Sequence, residues 1–201
     1  MQRNHDNSEQ RIVLKDIRWE TYERLLKDLE QCSVPRLTFD RGVLEIMSPF
    51  SDHEESNRNL SLLVEIFAEE LGIEIRNLGS TTFKREELQR GFEPDSCFYV
   101  QNEPQIRNRQ RIDLRVDPPP DLVIEVDLTS NSMDKFPVFA SLGVPEVWRL
   151  TDSEVQVFGL DEDLYRRRTT SSVLRPLKAS TITELLAAAG SMKHRVAKAA
   201  P

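Results

Sequence analysis

The sequence contains few of the residues that build covalent or zinc-stabilised folds. Only two cysteines occur among 201 residues, Cys32 and Cys97, and they lie far apart without CxxC spacing. This pattern argues against a disulfide framework and against a zinc knuckle. The cysteines are therefore expected to be reduced and partly buried thiols.

Long apolar runs are also absent. No segment approaches the roughly 20 apolar residues that a membrane helix needs. The first residues, MQRNHDNSEQR, are polar and lack the apolar core of a secretory signal. We therefore expect a soluble cytoplasmic protein that does not associate with a membrane.

Positive charge is in deficit, since 27 lysines and arginines face 34 aspartates and glutamates, a net charge of -7. This balance argues against a protein that grips nucleic acid through bulk positive charge, although a local basic groove can coexist with an acidic metal site. No glycine-rich phosphate loop and no GxSxG turn occur, and His5, His53 and His194 are the only histidines. Nucleotide hydrolysis and serine or cysteine nucleophiles therefore have little support.

Hydrophobic periodicity predicts an alternation of helices and strands. Helices are expected in IRWETYERLLKDLEQC, in SDHEESNRNLSLLVEIFAEELG, in SNSMDKFPVFASLG ending at Gly143, and from about Thr181. Capping boxes are expected at Ser51 with Glu54 and at Thr181 with Glu184. Hairpins are expected in RLTFDRGVLEIMSP and across EVWRL and EVQVFGL, and single strands in PDSCFYV and DLVIEVDL.

This order favours an α/β or α+β domain with a central mixed sheet flanked by helices, preceded by an N-terminal helix and hairpin. We expect one domain over residues 12–190, a disordered tail over residues 1–11 and a basic tail over residues 191–201.

The segment PDLVIEVDLTSNSMDK, residues 120–135, places carboxylates inside an apolar strand. Alternate residues of a strand share a face. One face then carries Leu122, Ile124, Val126 and Leu128, and the other carries Asp121, Val123, Glu125 and Asp127. We expect the first face to pack on the core and the second to form an acidic edge.

Asp95 precedes the strand SCFYV. If that strand neighbours the charged one, Asp95 and Glu125 can meet at their ends. Two carboxylates, a carbonyl oxygen and water make the oxygen-rich site that Mg²⁺ or Mn²⁺ prefers, and Lys135 can add a positive charge near a phosphate. For Asp127, a turn cap or an arginine pair at a sheet edge is an equally weighted alternative.

Three blocks, GVLEIMSPFSDHE, FEPDSCFYV and PPPDLVIEVDLTSNSMDKFPVFASLGVPEVWRL, resemble the Uma-two family, bacterial proteins of the PD-(D/E)XK restriction-endonuclease-like fold. The resemblance covers about residues 16–160. It implies a Mg²⁺-dependent cut of DNA phosphodiesters. Asp95 matches the PD aspartate and Glu125 the (D/E) position, but Asp127 stands where the motif has lysine.

The resemblance further implies that Lys135, on the following helix, replaces the motif lysine. It implies a supporting acid at the start of the preceding helix, either Glu54 or Glu55, while His53 there is functional or simply a surface histidine. Asp127 is expected to support a second ion or to bridge through water.

Arg107, Arg109, Arg111 and Arg115 cluster between the two acidic strands. They are expected to contact DNA phosphates, or else to form a solvated loop. DNA is the expected partner, and a homodimer would allow both strands to be cut. Two alternatives stay open: a catalytically inactive nuclease fold that binds DNA or assembles with proteins, and an enzyme for RNA or another phosphate ester.

Overall fold

The computed structural model describes residues 10–32, 34–127, 133–152 and 154–199, with side chains described up to residue 189 in the last helix. The helices are α1 (Trp19–Asp28), α2 (Ser51–Glu70), α3 (Glu103–Ile106), α4 (Phe136–Ser141) and α5 (Ala179–Ala199). The strands are β1 (Gln10–Leu14), β2 (Arg36–Asp40), β3 (Val43–Ser48), β4 (Arg76–Asn77), β5 (Phe83–Arg85), β6 (Arg90–Phe92), β7 (Ser96–Tyr99), β8 (Leu122–Val126), β9 (Glu146–Leu150), β10 (Val155–Asp161) and β11 (Leu164–Arg168).

The strands form two sheets. The first is antiparallel, with the order β1-β3-β2-β6-β5, and the second is mixed, with the order β11-β10-β9-β8-β7-β4. In the second sheet β8 and β9 run parallel, and β7 runs antiparallel to β8. The predicted α+β class with a mixed sheet is confirmed, but part of the strand content lies in the separate first sheet.

Apolar side chains form cores on both faces of the second sheet. One core joins Ile124 and Trp148 to Leu60 of α2. The core on the other face joins Val123 to Phe92 and Phe139, which belong to β6 and α4. The second sheet is therefore covered on both sides, and its strands β7 and β8 are buried throughout.

The first sheet has a smaller core of its own against α1. Trp19 and Tyr22 of α1 pack on Phe39 of β2, with the Tyr22 and Phe39 rings stacked at 5.1 Å between centroids. The predicted helix and hairpin of the N-terminal region are both present.

Strand β8 differs from its prediction in one respect. Leu122, Ile124 and Val126 do pack in one core, but all five residues of the strand are buried because β8 lies inside the sheet. The charged face is thus a buried polar region beside Val123 rather than an exposed acidic edge. Leu128 lies outside the described residues.

The two predicted capping boxes are wrong. Phe50 occupies the N-cap of α2 without a side-chain bond to the helix, and the Glu54 carboxylate pairs with Arg36 instead. The last helix begins at Ala179, two residues before Thr181, so Glu184 lies inside it. Tertiary contacts therefore decide how both helices begin.

Several strands, among them β1 and β11, had no counterpart in the sequence-based prediction. β1 pairs with β3 and takes in Gln10 and Arg11, the last two residues of the predicted tail. β11 pairs with β10 over Leu164–Arg168. Within the described residues, no helix is both long and apolar enough to cross a membrane.

Candidate active site

Asp95 is fixed at the carboxyl end of β8 by the pairing of β7 with that strand. Ser96 lies opposite Ile124 in this antiparallel pair. Asp95 comes one residue before Ser96, and its Oδ2 accepts a hydrogen bond of 2.7 Å from the amide of Val126. The side chain is 2% exposed. The segments that carry Asp95 and Glu125 are therefore neighbours, which is the condition for the shared site predicted from the sequence.

The first turns of α2 hold this region through buried polar side chains four residues apart. His53 Nε2 lies 2.9 Å from the carbonyl oxygen of Val126 and 3.3 Å from Asp95 Oδ2. Asn57 donates to the backbone oxygen of Asp95, and Ser61 bonds to Ser96. The surface interpretation of His53 is wrong, because the side chain is buried against the site.

Because the Val126 carbonyl can only accept, His53 Nε2 carries the proton. Histidine therefore acts here as a donor that joins α2 to the end of β8. The buried polar side chains of α2 are thus His53, Asn57 and Ser61, each four residues from the next.

Arg36, at the start of β2, links Asp95 to α2. Its Nη1 donates to Asp95 Oδ1 at 2.5 Å, and its Nη2 donates to Glu54 Oε1 at 2.5 Å. Glu54 thus reaches the site through a guanidinium and not by direct contact with Asp95, while Glu55 is exposed. The pair of charge-assisted bonds holds the orientation of the Asp95 carboxylate.

Lys135 reaches Glu125. Lys135 forms the N-cap of α4, and its Nζ lies 2.7 Å from Glu125 Oε2 with both residues 8% exposed. The other carboxylate oxygen, Glu125 Oε1, is buried and has no hydrogen-bond partner among the described residues. The carboxylate is therefore held at one oxygen and open at the other.

Glu45 of β3 is a site residue that the sequence reasoning missed. It is 1% exposed, and its Oε1 lies 3.7 Å from Lys135 Nζ and 3.3 Å from Arg11 Nη1. Its Oε2 accepts a 2.8 Å bond from the amide of Met133. Lys135 therefore stands between a glutamate of the first sheet and a glutamate of the second.

Burial and neighbouring charges perturb the pKa values of this cluster in opposite directions. Burial raises the pKa of Glu125 to about 7, with the charge of Asp95 adding to the rise and Lys135 opposing it. Burial alone would lower the pKa of Lys135, but the charges of Glu125, Glu45 and Asp95 raise it. Lys135 is therefore held as a cation.

The pKa of Asp95 is displaced in the opposite direction to that of Glu125. Burial would raise the pKa of Asp95, but the hydrogen bond from His53 and the charges of Arg36, His53 and Lys135 lower it. Two carboxylates of one site thus have pKa values displaced in opposite directions. Such separation is characteristic of acid–base and ion-binding sites, although structural ion-pair networks produce it as well.

Asp127 lies beside this cluster at the end of β8. Its amide donates to the carbonyl oxygen of Leu150 at 2.8 Å, which continues the pairing of β8 with β9. Its side chain lines a cavity together with Glu125 and Lys135. Asp127 thus lies next to the site. Its role in supporting a second ion or in bridging through water stays a prediction.

The loop arginines are not brought to the carboxylates. Their loop joins the carboxyl end of β7 to the amino end of β8, whereas Asp95 and Glu125 lie at the other end of that strand pair. Each is also ion-paired: Arg107 with Glu103, Arg109 with Asp117, Arg111 with Glu30, and Arg115 with Asp113. Their contact with DNA phosphates stays a prediction. Any phosphates that they contact would lie far from Asp95 and Glu125.

In the described part of the chain, the site offers a hard divalent ion one open carboxylate oxygen, Glu125 Oε1, whereas both oxygens of Asp95 are bonded to protein groups. Among the described residues, no three His, Cys, Asp or Glu side chains converge as a ready-made metal cluster. Mg²⁺ nevertheless commonly binds through one or two carboxylates, with water and substrate phosphate completing its shell. Glu125 Oε1, buried without a hydrogen-bond partner in that part of the chain, is the oxygen that such an ion would satisfy.

A sequence signal for Glu45 did exist. Leu44 and Ile46 flank it within a hairpin strand, just as Ile124 and Val126 flank Glu125. A lone carboxylate in an apolar strand needs a cation, a hydrogen bond or a metal. Arg36 carried no comparable signal, because an arginine at the start of a strand is ordinarily solvated.

The two sheets and their helices form an α+β fold of the restriction-endonuclease-like class. The Uma2 family, described as "Putative restriction endonuclease", matches residues 19–189. The chain belongs to this family, as its three sequence blocks suggested. None of the curated proteins matches the chain significantly.

A solved structure shows the same fold. It is the crystal structure of a putative nuclease belonging to DUF820 from Anabaena variabilis ATCC 29413, which is 14% identical in sequence with a TM-score of 0.52. The match covers 80% of this chain and 98% of that chain. At this identity the likeness establishes the fold alone.

Proposed function

We propose that this protein is a Mg²⁺-dependent endonuclease that hydrolyses DNA phosphodiester bonds at the cluster of Asp95, Glu125 and Lys135. The observation that carries the proposal is the 2.7 Å contact between Lys135 Nζ and Glu125 Oε2, beside a second buried carboxylate. Membership of a restriction-endonuclease family supports DNA as the substrate.

Asp95 and Glu125 would hold the ion, Mg²⁺ or Mn²⁺. When bound, it would supply Lewis-acid stabilisation of charge on the phosphate and lower the pKa of a ligand water. The proposed role of Asp127 is to support a second ion or to bridge through water from the cavity wall. These assignments draw on the carboxylate chemistry of the site and on the open oxygen of Glu125.

Lys135 takes the role of the lysine that the family motif places at position 127. Its ammonium group, kept charged by Glu125 and Glu45, can donate a hydrogen bond to the attacking water or to a phosphate oxygen. A fixed cation next to developing negative charge stabilises the transition state without having to reorganise.

The residues around the three reacting groups act as positioning residues. Arg36 and His53 set the orientation of Asp95, and Glu54 holds Arg36 from α2. Glu45 holds Lys135 from the first sheet. The proposed site therefore depends on contacts from both sheets and from two helices.

The test is cleavage of supercoiled plasmid DNA and a single-stranded circle by purified protein with Mg²⁺ or Mn²⁺. Asp95→Asn and Glu125→Gln should abolish nicking, while Asp163→Asn, an exposed carboxylate in the turn between β10 and β11, should leave it unchanged. Equal nicking by wild type and both site variants would contradict the proposal.

A second candidate function is a nuclease fold without catalysis that binds DNA or assembles with other proteins. It is favoured by the engagement of both Asp95 oxygens with protein groups and by the presence of Asp127 at the motif's lysine position. Calorimetric titration with Mn²⁺ separates the two. Heat that disappears in Glu125→Gln supports the enzyme, and no heat in either protein supports the binding module.

A further inference from the structure

A cavity of about 250 Å³ adjoins the proposed reacting groups. Its lining includes Glu125 and Lys135 together with Phe136, Phe139 and Arg149. Small-molecule sites usually measure about 300 to 1,000 Å³, so this space lies just below the small end of that range and is large enough for a single ring system. Because Glu125 and Lys135 line it, an occupant of this cavity would lie next to the proposed reacting groups.

Arg149 lines this cavity, and two aromatic rings pack against its planar guanidinium. The Arg149 guanidinium carbon lies 5.2 Å from the centroid of the Phe136 ring and 5.0 Å from that of Phe158. Its Nη2 donates to Gln156, and its Nε is buried without a hydrogen-bond partner among the described residues. The planar group is therefore fixed in position and has unused donor capacity.

The charges that line the cavity balance. Arg11, Lys135 and Arg149 are opposed by Glu125, Asp127 and Asp134. A polyanion would meet as many carboxylates as cations there. The lining instead suits a neutral planar molecule that both donates and accepts hydrogen bonds, and nucleobases have these properties. Arginine planes and aromatic rings are the groups on which unpaired bases stack.

Resting on the proposed function, we propose that this cavity receives one unpaired nucleobase next to the scissile phosphate. The base stacks on the Arg149 guanidinium, which Phe136 and Phe158 support from behind, while its phosphate lies at Lys135 and Glu125. A base inside a duplex would first have to be unpaired and unstacked, at a cost of a few kcal/mol that an unpaired base does not incur. The substrate class is therefore DNA with an unpaired nucleotide at the cut: a single strand, a flap or a gap.

The test uses fluorescence anisotropy of a dye-labelled single-stranded oligonucleotide and of the same strand annealed to its complement, in EDTA. Without metal no strand is cut, so the measurement reports binding alone. Wild type should bind the single strand at least about tenfold more tightly than the duplex, as expected from the loss of one base-stacking contact.

Two substitutions target the proposed stacking contact. Arg149→Lys keeps the positive charge but removes the planar guanidinium group. Phe136→Leu keeps an apolar side chain but removes the aromatic ring. Both should weaken single-strand binding about tenfold or more and leave duplex binding unchanged. The control Arg166→Ala removes a positive charge from the outer strand β11, where Arg166 pairs with Asp161, and should change neither.

The outcomes separate this inference from the proposed function. The proposal of a base in the cavity fails if wild type binds single strand and duplex with equal affinity. It also fails if folded Arg149→Lys binds the single strand as tightly as wild type does. Either result counts against it even if Mg²⁺-dependent cleavage is found. A preference for single-stranded DNA that depends on Arg149, without any cleavage, would support the base-binding cavity and contradict the proposed nuclease activity. Circular dichroism checks folding, and Arg149→Lys alone decides the case if Phe136→Leu does not fold.

Discussion

Lys135 Nζ lies 2.7 Å from Glu125 Oε2, although the two residues are ten positions apart and belong to α4 and β8. Both side chains are almost fully buried. A buried ion pair of this kind contributes little net stability when intact, but removal of one partner leaves an uncompensated charge. The relationship therefore predicts strong coupling between substitutions at the two positions.

Lys135→Met should lower the free energy of unfolding by about 3 to 5 kcal/mol, because it leaves Glu125 and Glu45 facing each other without their shared cation. The double variant Lys135→Met with Glu125→Gln should recover part of that loss, since one of the unpaired charges is gone. Urea unfolding of wild type, both single variants and the double variant measures the coupling.

Cleavage should not recover in the same double variant, and its rate should stay lower than wild type by about 10²-fold or more. Additive effects on stability would contradict the ion pair. Recovery of cleavage together with stability would show that neither Lys135 nor Glu125 takes part in the reaction.

Glu45→Gln should reduce cleavage and move the alkaline limb of its pH profile to lower pH. The charge of Glu45 helps to raise the pKa of Lys135, so its loss lets Lys135 deprotonate at lower pH. Glu93→Gln is the matched control, because Glu93 is mostly buried and bonds to Thr82 and to the Leu37 amide without contacting Lys135.

Initial rates of plasmid nicking at a series of pH values measure this limb. A uniform loss of rate at every pH in Glu45→Gln, with the limb unmoved, would mean that Glu45 does not act through the ammonium group. A shift of equal size in Glu93→Gln would point to a general effect of removing buried charge.

The pH dependence of stability should differ between wild type and Glu125→Gln. Burial raises the folded-state pKa of Glu125 from 4.5 to about 7, so the folded protein binds this proton more tightly than the unfolded chain does. The resulting stabilisation is fully present below pH 4.5 and is lost as the pH rises through 7.

Wild type should therefore lose stability relative to Glu125→Gln between these pH values, because glutamine does not titrate. Urea unfolding in EDTA at several pH values measures the difference. Parallel curves for the two proteins would show that Glu125 keeps an ordinary pKa in the folded state.

The two cysteines should react with a thiol reagent at very different rates. Cys32 is exposed, whereas Cys97 is buried in β7, where burial raises the pKa of its thiol to about 12. The thiolate is the reactive species. Titration with a disulfide reagent at pH 8 should detect one thiol in the native protein and two in denaturant.

Cys32→Ser should abolish the native reaction and leave one thiol detectable after denaturation. A second rapid thiol in the native protein would mean that the strand pair carrying Asp95 opens readily. The measurement thus reports on the rigidity of the scaffold that carries the proposed site.

Much of the fold followed from local patterns. The hairpin across Asp40-Arg41-Gly42 and the strands on either side of residues 151–154 have alternating apolar residues and turn residues, and both hairpins are present. The edge strands β1 and β11 escaped prediction because their side chains are largely exposed and follow no apolar alternation. Their strand conformation depends on pairing with a neighbour.

The capping boxes show the same limit at the ends of helices. Ser51 and Glu54 have the spacing for a cap, but Arg36 supplies a stronger partner for the carboxylate from another element. A local motif predicts a contact only when no distant charge competes for the same side chain.

The sequence by itself determined which chemistry this protein could support. A carboxylate between Ile124 and Val126, another carboxylate after Pro94 and a lysine at the start of a helix are properties of the chain. The tertiary structure decided which of these groups meet and with which partners. Glu45 joins Lys135, and Arg36 joins Asp95, because two sheets pack around the end of β8 and burial forces each charge to find an opposite one.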